Sequence, residues 1–276
     1  MTTAEAISTH YENGGNLLDA IKVGIAKLGK TPETITIDDI APVDEFHIGG
    51  RPATVHFANQ LNFTAEDHVL DVGCGMGGAS RFVASTYGSR VTGVDITEEY
   101  INTGKVLTQW VGLDDKVSLQ TSSAQTIPFD DNSFDGAYMI HVGMNIPDKA
   151  AVFAEVRRVL KPGATFGIYD IMEVGQGDFA FPVPWANEAS LSHLASPDGY
   201  KKALETAGFE VSSVNSRRDS AVEFFARMRE RAASGAGPAP LGLHVLMKDS
   251  TPTKVKNMIG NLEAGLIAPV EIVAKK

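Results

Sequence analysis

The stretch VLDVGCGMGGASRFVA, Val69 to Ala84, sets four glycines and the chain's only cysteine between a β-branched apolar run and a helix-like one. A glycine bend after a strand lets the backbone approach a ligand closely. The helix that follows offers free N–H groups and the positive end of its dipole. Gly73, Gly75 and Gly77 fit a dinucleotide fingerprint, and Asp95 ends the next apolar run 20 residues after Gly75. A carboxylate there accepts hydrogen bonds from ribose hydroxyls. A purely structural turn would explain the glycines but would leave Asp95 a coincidence.

Working outward, apolar β-branched runs recur at HVLDVG, RVTGVD, KVSLQT, FDGAYMI and TFGIYDIM, separated by the helical patterns GGASRFVASTYG, TEEYINTGKVLTQWVGL and DKAAVFAEVRRVLKPG. Strand alternating with helix predicts a mostly parallel sheet with helices on both faces. Lys161–Gly163, KPG, reads as a helix stop and turn. Residues 1–62 read as an N-terminal helical cap with a break at Gly14 and Gly15, closing on a helix that ends near Asn62. Residues 63–276 read as the ligand-binding domain. Inside that domain, 173–196 has no period and predicts a lid. A helical insertion covers about 219–266, with a flexible break at GAGPAP, and PVEIVAKK predicts a closing edge strand.

Asp71 narrows the ligand. It sits inside the first strand, where a dinucleotide fold keeps an apolar residue, and a buried unpaired carboxylate costs on the order of 3 kcal/mol or more. The carboxylate makes sense if it accepts backbone N–H bonds and faces a cation. S-adenosylmethionine (SAM) carries an ammonium and a sulfonium and lacks a pyrophosphate. With VLDVGCGMGG, GVDIT, SSAQTIPF, FDGAYMIHV and VRRVLKPGATFGIYD in this order, the chain resembles the class I SAM-dependent methyltransferases over residues 65 to 171. DEFHIGGRPAT, HYENGGNLLDAIKVGIAKLG and FPVPWANEASLSHLASP resemble the small-molecule branch near the sarcosine/dimethylglycine and quinone- or tocopherol-type enzymes. The resemblance implies a Rossmann-like seven-stranded fold and in-line methyl transfer to an amine, hydroxyl or phenol, with carbon not excluded. It also implies that Gly73 and Gly75 pass under the methionyl part and Asp95 holds the ribose. Ile96 would lie on the adenine face, with Ala124 and Gln125 at its edge. Ser123 stands where the family often has an aspartate, which predicts looser adenine recognition. A non-catalytic SAM-binding or assembly protein, or an NAD(P)-dependent oxidoreductase, are the competing readings.

His141, after the fourth strand, is the candidate general base, since its ordinary pKa lies near working pH. Tyr11, His47, Phe181, Trp185 and His193 are candidates for the substrate side, each equally readable as packing. Phe224 and Phe225 read as core or dimer contacts. Cys74 reads as packing under the bend, not as a nucleophile. Seven scattered histidines and one cysteine show no metal-ligand spacing. A formal charge of −10 argues against nucleic acid and anionic membranes. No leader pattern or spanning apolar run appears, so the expectation is a cytoplasmic protein with a small-molecule partner, with the late helices available for a homodimer.

Overall fold

The computed structural model describes residues 3–12, 14, 16–235 and 239–276. Gly15 of the expected break and Ala236–Pro238 of the expected GAGPAP linker lie outside them. Four helices lead: α1 (Thr3–Tyr11), α2 (Leu17–Lys27), α3 (Ile37–Asp44) and α4 (Gly50–Ala58). Thr36 starts α3 with a capping box, accepting from the Asp39 N–H while the Asp39 carboxylate accepts from its own. α4 ends at Ala58, short of Asn62.

The alternating core follows as β1 (His68–Val72), α5 (Gly78–Tyr87), β2 (Arg90–Asp95), α6 (Glu98–Trp110), β3 (Val117–Thr121), β4 (Phe134–Ile140), α7 (Lys149–Val159) and β5 (Leu160–Glu173). Then come α8 (Pro197–Thr206), β6 (Glu210–Ser216), α9 (Arg218–Ala233), α10 (Leu243–Met247), α11 (Thr251–Glu263) and β7 (Ile267–Lys275). The strands form one seven-stranded sheet in the order β3-β2-β1-β4-β5-β7-β6. β1 to β5 pair in parallel, and β7 runs antiparallel to both β5 and β6.

Two local expectations are corrected. Lys161–Gly163 lies within the long strand β5 instead of forming a separate turn, with Gly163 at φ +80°. β7 is an inner strand: every residue from Ile267 to Ala274 is buried. A strand apolar on both faces needs neighbours on both edges, and the largely exposed β6 takes the edge instead.

Leu70, Val72, Phe134, Met139, Phe166 and Ile168 anchor the core between the sheet and α7–α8, and Val69, Val91, Tyr138 and Tyr169 belong to the cluster that includes α4 and α5. A third cluster joins α2, α3 and α6 and takes in Leu241. A Cβ on Gly24 of α2 would lie 2.3 Å from the Leu241 side chain. The N-terminal helices and the late helices therefore meet across the carboxyl ends of the strands. They roof the crevice where strand order reverses between β1 and β4, the place where open α/β sheets bind ligands.

Candidate functional site

Beneath that roof lies a cavity of about 1080 Å³. Its floor is the glycine bend. Gly73 has φ +74°, and a Cβ there would lie 2.3 Å from Val142, which follows β4. Gly75 has φ +54°, and a Cβ there would meet only Tyr100 at 3.9 Å. The first glycine thus answers to packing, while the second borders open space. Cys74 packs beneath: a Cβ on Gly93 would reach its Sγ at 2.7 Å. Burial, Asp71 and Asp95 push its thiol well above the ordinary range, which leaves it inert.

Asp95 accepts 2.9 Å and 2.8 Å hydrogen bonds from the N–H groups of Gly75 and Thr97. Burial raises its carboxyl and these backbone donors pull it back. Asp71 is paired across β1 and β4 with Tyr138, whose hydroxyl donates to its Oδ2 at 2.9 Å, and Ser80 donates to the same oxygen at 2.6 Å. Its partners are thus side-chain hydroxyls, not the expected backbone N–H groups. Burial pushes this carboxyl up to about 7, the hydroxyls opposing. Arg81, fully buried in α5, donates to Asp44 of α3, to Thr108 Oγ1 at 2.9 Å and to the Gly104 carbonyl. It clamps the first ligand-facing helix to the cap. Breaking such a buried pair from one side costs about 3–5 kcal/mol.

The other walls come from the cap and from the loops after β4 and β5. Tyr11 donates to Asn145 Oδ1 at 2.9 Å, and the Asn145 amide donates to the Trp185 carbonyl at 2.8 Å. Burial together with Asp95 and Asp170 pushes the Tyr11 hydroxyl up, so it stays a donor. His47 Nε2 lies 3.2 Å from the Gly50 carbonyl and 3.0 Å from Thr54 Oγ1, while Thr54 gives its own proton to Glu45 at 2.7 Å. Both neighbours therefore accept at Nε2, which places the proton there and the lone pair on Nδ1. Burial lowers His47 to about 4. The His141 ring stands 5.7 Å from that of His47, on a residue held at φ +53°. Its Nε2 is buried without a hydrogen-bond partner, and burial with the nearby His47 pushes it well below the usual range. Two neutral imidazoles thus face one chamber. A non-glycine residue in left-handed backbone costs about 1–3 kcal/mol and persists only where its surroundings over-determine it.

Residues 70–168 match the family described as a methyltransferase domain. A sterol 24-C-methyltransferase of Gibberella zeae is 37% identical over 115 residues, which is 42% of this chain and 30% of that protein. The chain thus carries a methyltransferase domain over residues 70–168, and its relatives include class I SAM-dependent methyltransferases. An O-methyltransferase of Pyrenophora dematioidea is 27% identical over 212 residues, 76% of this chain and 77% of that one. The chain therefore spans under a third of the first relative and about three-quarters of the second. Among solved structures, geranyl diphosphate C-methyltransferase from Streptomyces coelicolor A3(2) has a TM-score of 0.70 at 18% identity, covering 100% of this chain and 98% of that one. That last likeness is one of fold.

Of the residues singled out in the sequence, Asp71, Gly73, Gly75, Asp95, Ile96, Ser123, Ala124, Gln125, His141, Tyr11, His47 and Trp185 all border the cavity. Ser123 Oγ already accepts from the Gln125 N–H at 3.2 Å. Phe181 and His193 are not brought to the cavity. Phe181 packs on Phe179, with ring centroids 4.8 Å apart, in a cluster beside the late helices. The His193 backbone holds Lys149 on another face. Phe224 and Phe225, read as core or dimer contacts, both border the cavity, Phe225 as a buried member of the core cluster beside the late helices. Asn145 was missed although it lies four residues past His141. Leu241 and Met258 were missed because only the docking of distant helices puts them here. Among the described residues no His, Cys, Asp and Glu cluster suits a metal, and no helix is long and apolar enough to cross a membrane.

Proposed function

We propose that the chain methylates a small-molecule acceptor, an amine or a hydroxyl or phenol, using SAM held over the glycine bend. The observation that carries this reading is the open space above Gly75 beside the Asp95 carboxylate, in a chamber that two neutral histidines also border. Residues at the bend fit the group: left-handed glycine backbone, a carboxylate with lone pairs to spare, and a small-residue wall at Ser123–Gln125. When bound, SAM supplies an electrophilic methyl group on a sulfonium, displaced in line with the C–S electron pair leaving on sulfur.

The protein's own share is positioning and proton handling. Gly73 and Gly75 let the backbone run beneath the ligand, and Asp95 fixes the ribose. The roof excludes water, and holding reactants in line is worth about 7–11 kcal/mol. A hydroxyl proton, acidified as its oxygen gains a carbon, passes to Nδ1 of His47, a nitrogen left free by the Nε2 contacts with Gly50 and Thr54. His141 packs at 5.1 Å from the Tyr169 ring and borders the same chamber, so it contacts the ligands without needing to be the base. Cytoplasmic residence and a homodimer belong to this reading as well, the latter to be decided by sedimentation velocity.

The test is transfer of a labelled methyl group from SAM to a metabolite extract. A labelled small product with matching S-adenosylhomocysteine supports the proposal, with His47→Gln cutting the yield by about 100-fold or more. Tight S-adenosylhomocysteine binding with no labelled product from any extract would favour a non-catalytic SAM-binding protein.

A further inference from the structure

We propose that the acceptor is an uncharged, mainly apolar molecule bearing a hydroxyl or phenol, seated in the part of the cavity walled by α9–α11. This rests on the methyltransferase reading of the site and names its substrate class.

Volume is the first argument. A cavity of 1080 Å³ lies just above the roughly 300–1,000 Å³ that holds one drug-sized ligand, so a second occupant of real size has room. Chemistry is the second. Phe224 and Met228 of α9, Leu243 and Leu246 of α10, and Val255 and Met258 of α11 border this space. Those three helices contribute one charged side chain to the lining, Arg231, and it is exposed.

The acids of the wall supply the third argument. Asp44 is paired with Arg81, and Glu45 and Asp38 are paired with Arg51. Asp71 is bound by two hydroxyls and Asp95 by two backbone N–H groups. Asp44 Oδ1 is buried without a hydrogen-bond partner, on a carboxylate whose charge Arg81 already balances. An ammonium or zwitterion seated against α9–α11 would shed water and find no carboxylate on that wall, a costly burial. An apolar body gains with every part it removes from water. Only the hydroxyl needs a polar partner, and the His47 ring nitrogen provides it.

The experiment uses the full chain saturated with S-adenosylhomocysteine, whose binding is first measured by calorimetry. It is then titrated with two dyes of the same body, neutral N-phenyl-1-naphthylamine and anionic 8-anilinonaphthalene-1-sulfonate. The neutral dye should bind once per chain alongside S-adenosylhomocysteine, at least tenfold tighter than the sulfonate. Millimolar dimethylglycine or choline should not displace it. Phe224→Arg should weaken the dye at least tenfold and leave S-adenosylhomocysteine affinity within twofold. Should that variant fail to fold, Met228→Glu at a more exposed position should act in the same direction. Normal S-adenosylhomocysteine binding with no dye binding, a preference for the sulfonate, or displacement by either amine would overturn the substrate class. Failure of S-adenosylhomocysteine itself to bind would instead strike the methyltransferase reading.

Discussion

The Tyr11 hydroxyl and the Asn145 side-chain oxygen, 134 positions apart in the chain, are joined by a 2.9 Å hydrogen bond. The Asn145 amide passes the tie on to the Trp185 carbonyl at 2.8 Å. One buried amide thereby fastens α1, the loop after β4 and the irregular segment after β5 around the same cavity. Leaving a buried partner unsatisfied costs about 1–3 kcal/mol. Asn145→Ala should speed amide exchange across α1 by roughly 5- to 100-fold, with the global melting temperature little changed. Unchanged exchange in α1 would show that the tie does not hold the roof.

Asp95 offers a sharper measurement. Its two backbone N–H bonds hold the carboxylate at the carboxyl end of β2, beside the bend. Asp95→Ala should weaken S-adenosylhomocysteine by about 10- to 100-fold in calorimetry, the range for hydrogen bonds to a charged group. A change of less than threefold would move the ribose elsewhere.

The two glycines of the bend should fail differently. At Gly73 both the left-handed backbone and the Val142 side chain at 2.3 Å oppose a methyl group. Gly73→Ala should therefore destabilise the unliganded protein by several kcal/mol, on the order of an overpacked core plus strain. At Gly75 the nearest atom is 3.9 Å away. Gly75→Ala should cost about 1 kcal/mol of stability from its backbone alone and yet abolish ligand binding, because the methyl would occupy the ligand's space. Equal melting losses in the two variants would contradict this division.

Asp71 predicts a pH dependence with a definite sign. Burial holds its carboxyl up at about 7 in the folded chain. Once unfolded, the chain releases that proton near its ordinary pKa of about 4. Between those values the folded state binds the extra proton, so this group's contribution makes stability fall as pH rises through the window and level off above it. Asp71→Asn removes the slope. Chemical denaturation should show the variant gaining on the wild type by on the order of a few kcal/mol between about pH 4.5 and 7.5. A cation bound nearby would favour the ionised form, so SAM should tighten relative to S-adenosylhomocysteine over the same window, and in the variant it should not.

The alternating core was legible because its signals are local. β1, β2, β4 and β5 are buried enough to read as apolar runs, and Gly73 to Gly77 mark the bend directly. The position of β7 was not legible. Its apolar pattern shows that it needs cover, but which neighbours supply it depends on β6 returning to the outer edge. Phe181 and Trp185 read alike in the sequence, four residues apart in one irregular segment. The structure turns Trp185 to the cavity and packs Phe181 against Phe179, an outcome decided by how that segment docks on α11.

The sequence by itself determined the βα core, the glycine bend, the acid at the end of β2 and, through their order, the resemblance to the class I SAM-dependent methyltransferases. Only the tertiary structure decided the chamber: the Tyr11–Asn145–Trp185 tie, the tautomer of His47, and Phe224, Leu246 and Met258 on one wall. The division has a physical cause. Strand runs and glycine conformations are set by neighbours in the chain, whereas a cavity wall is made by side chains hundreds of positions apart, placed by helices that pack on one another.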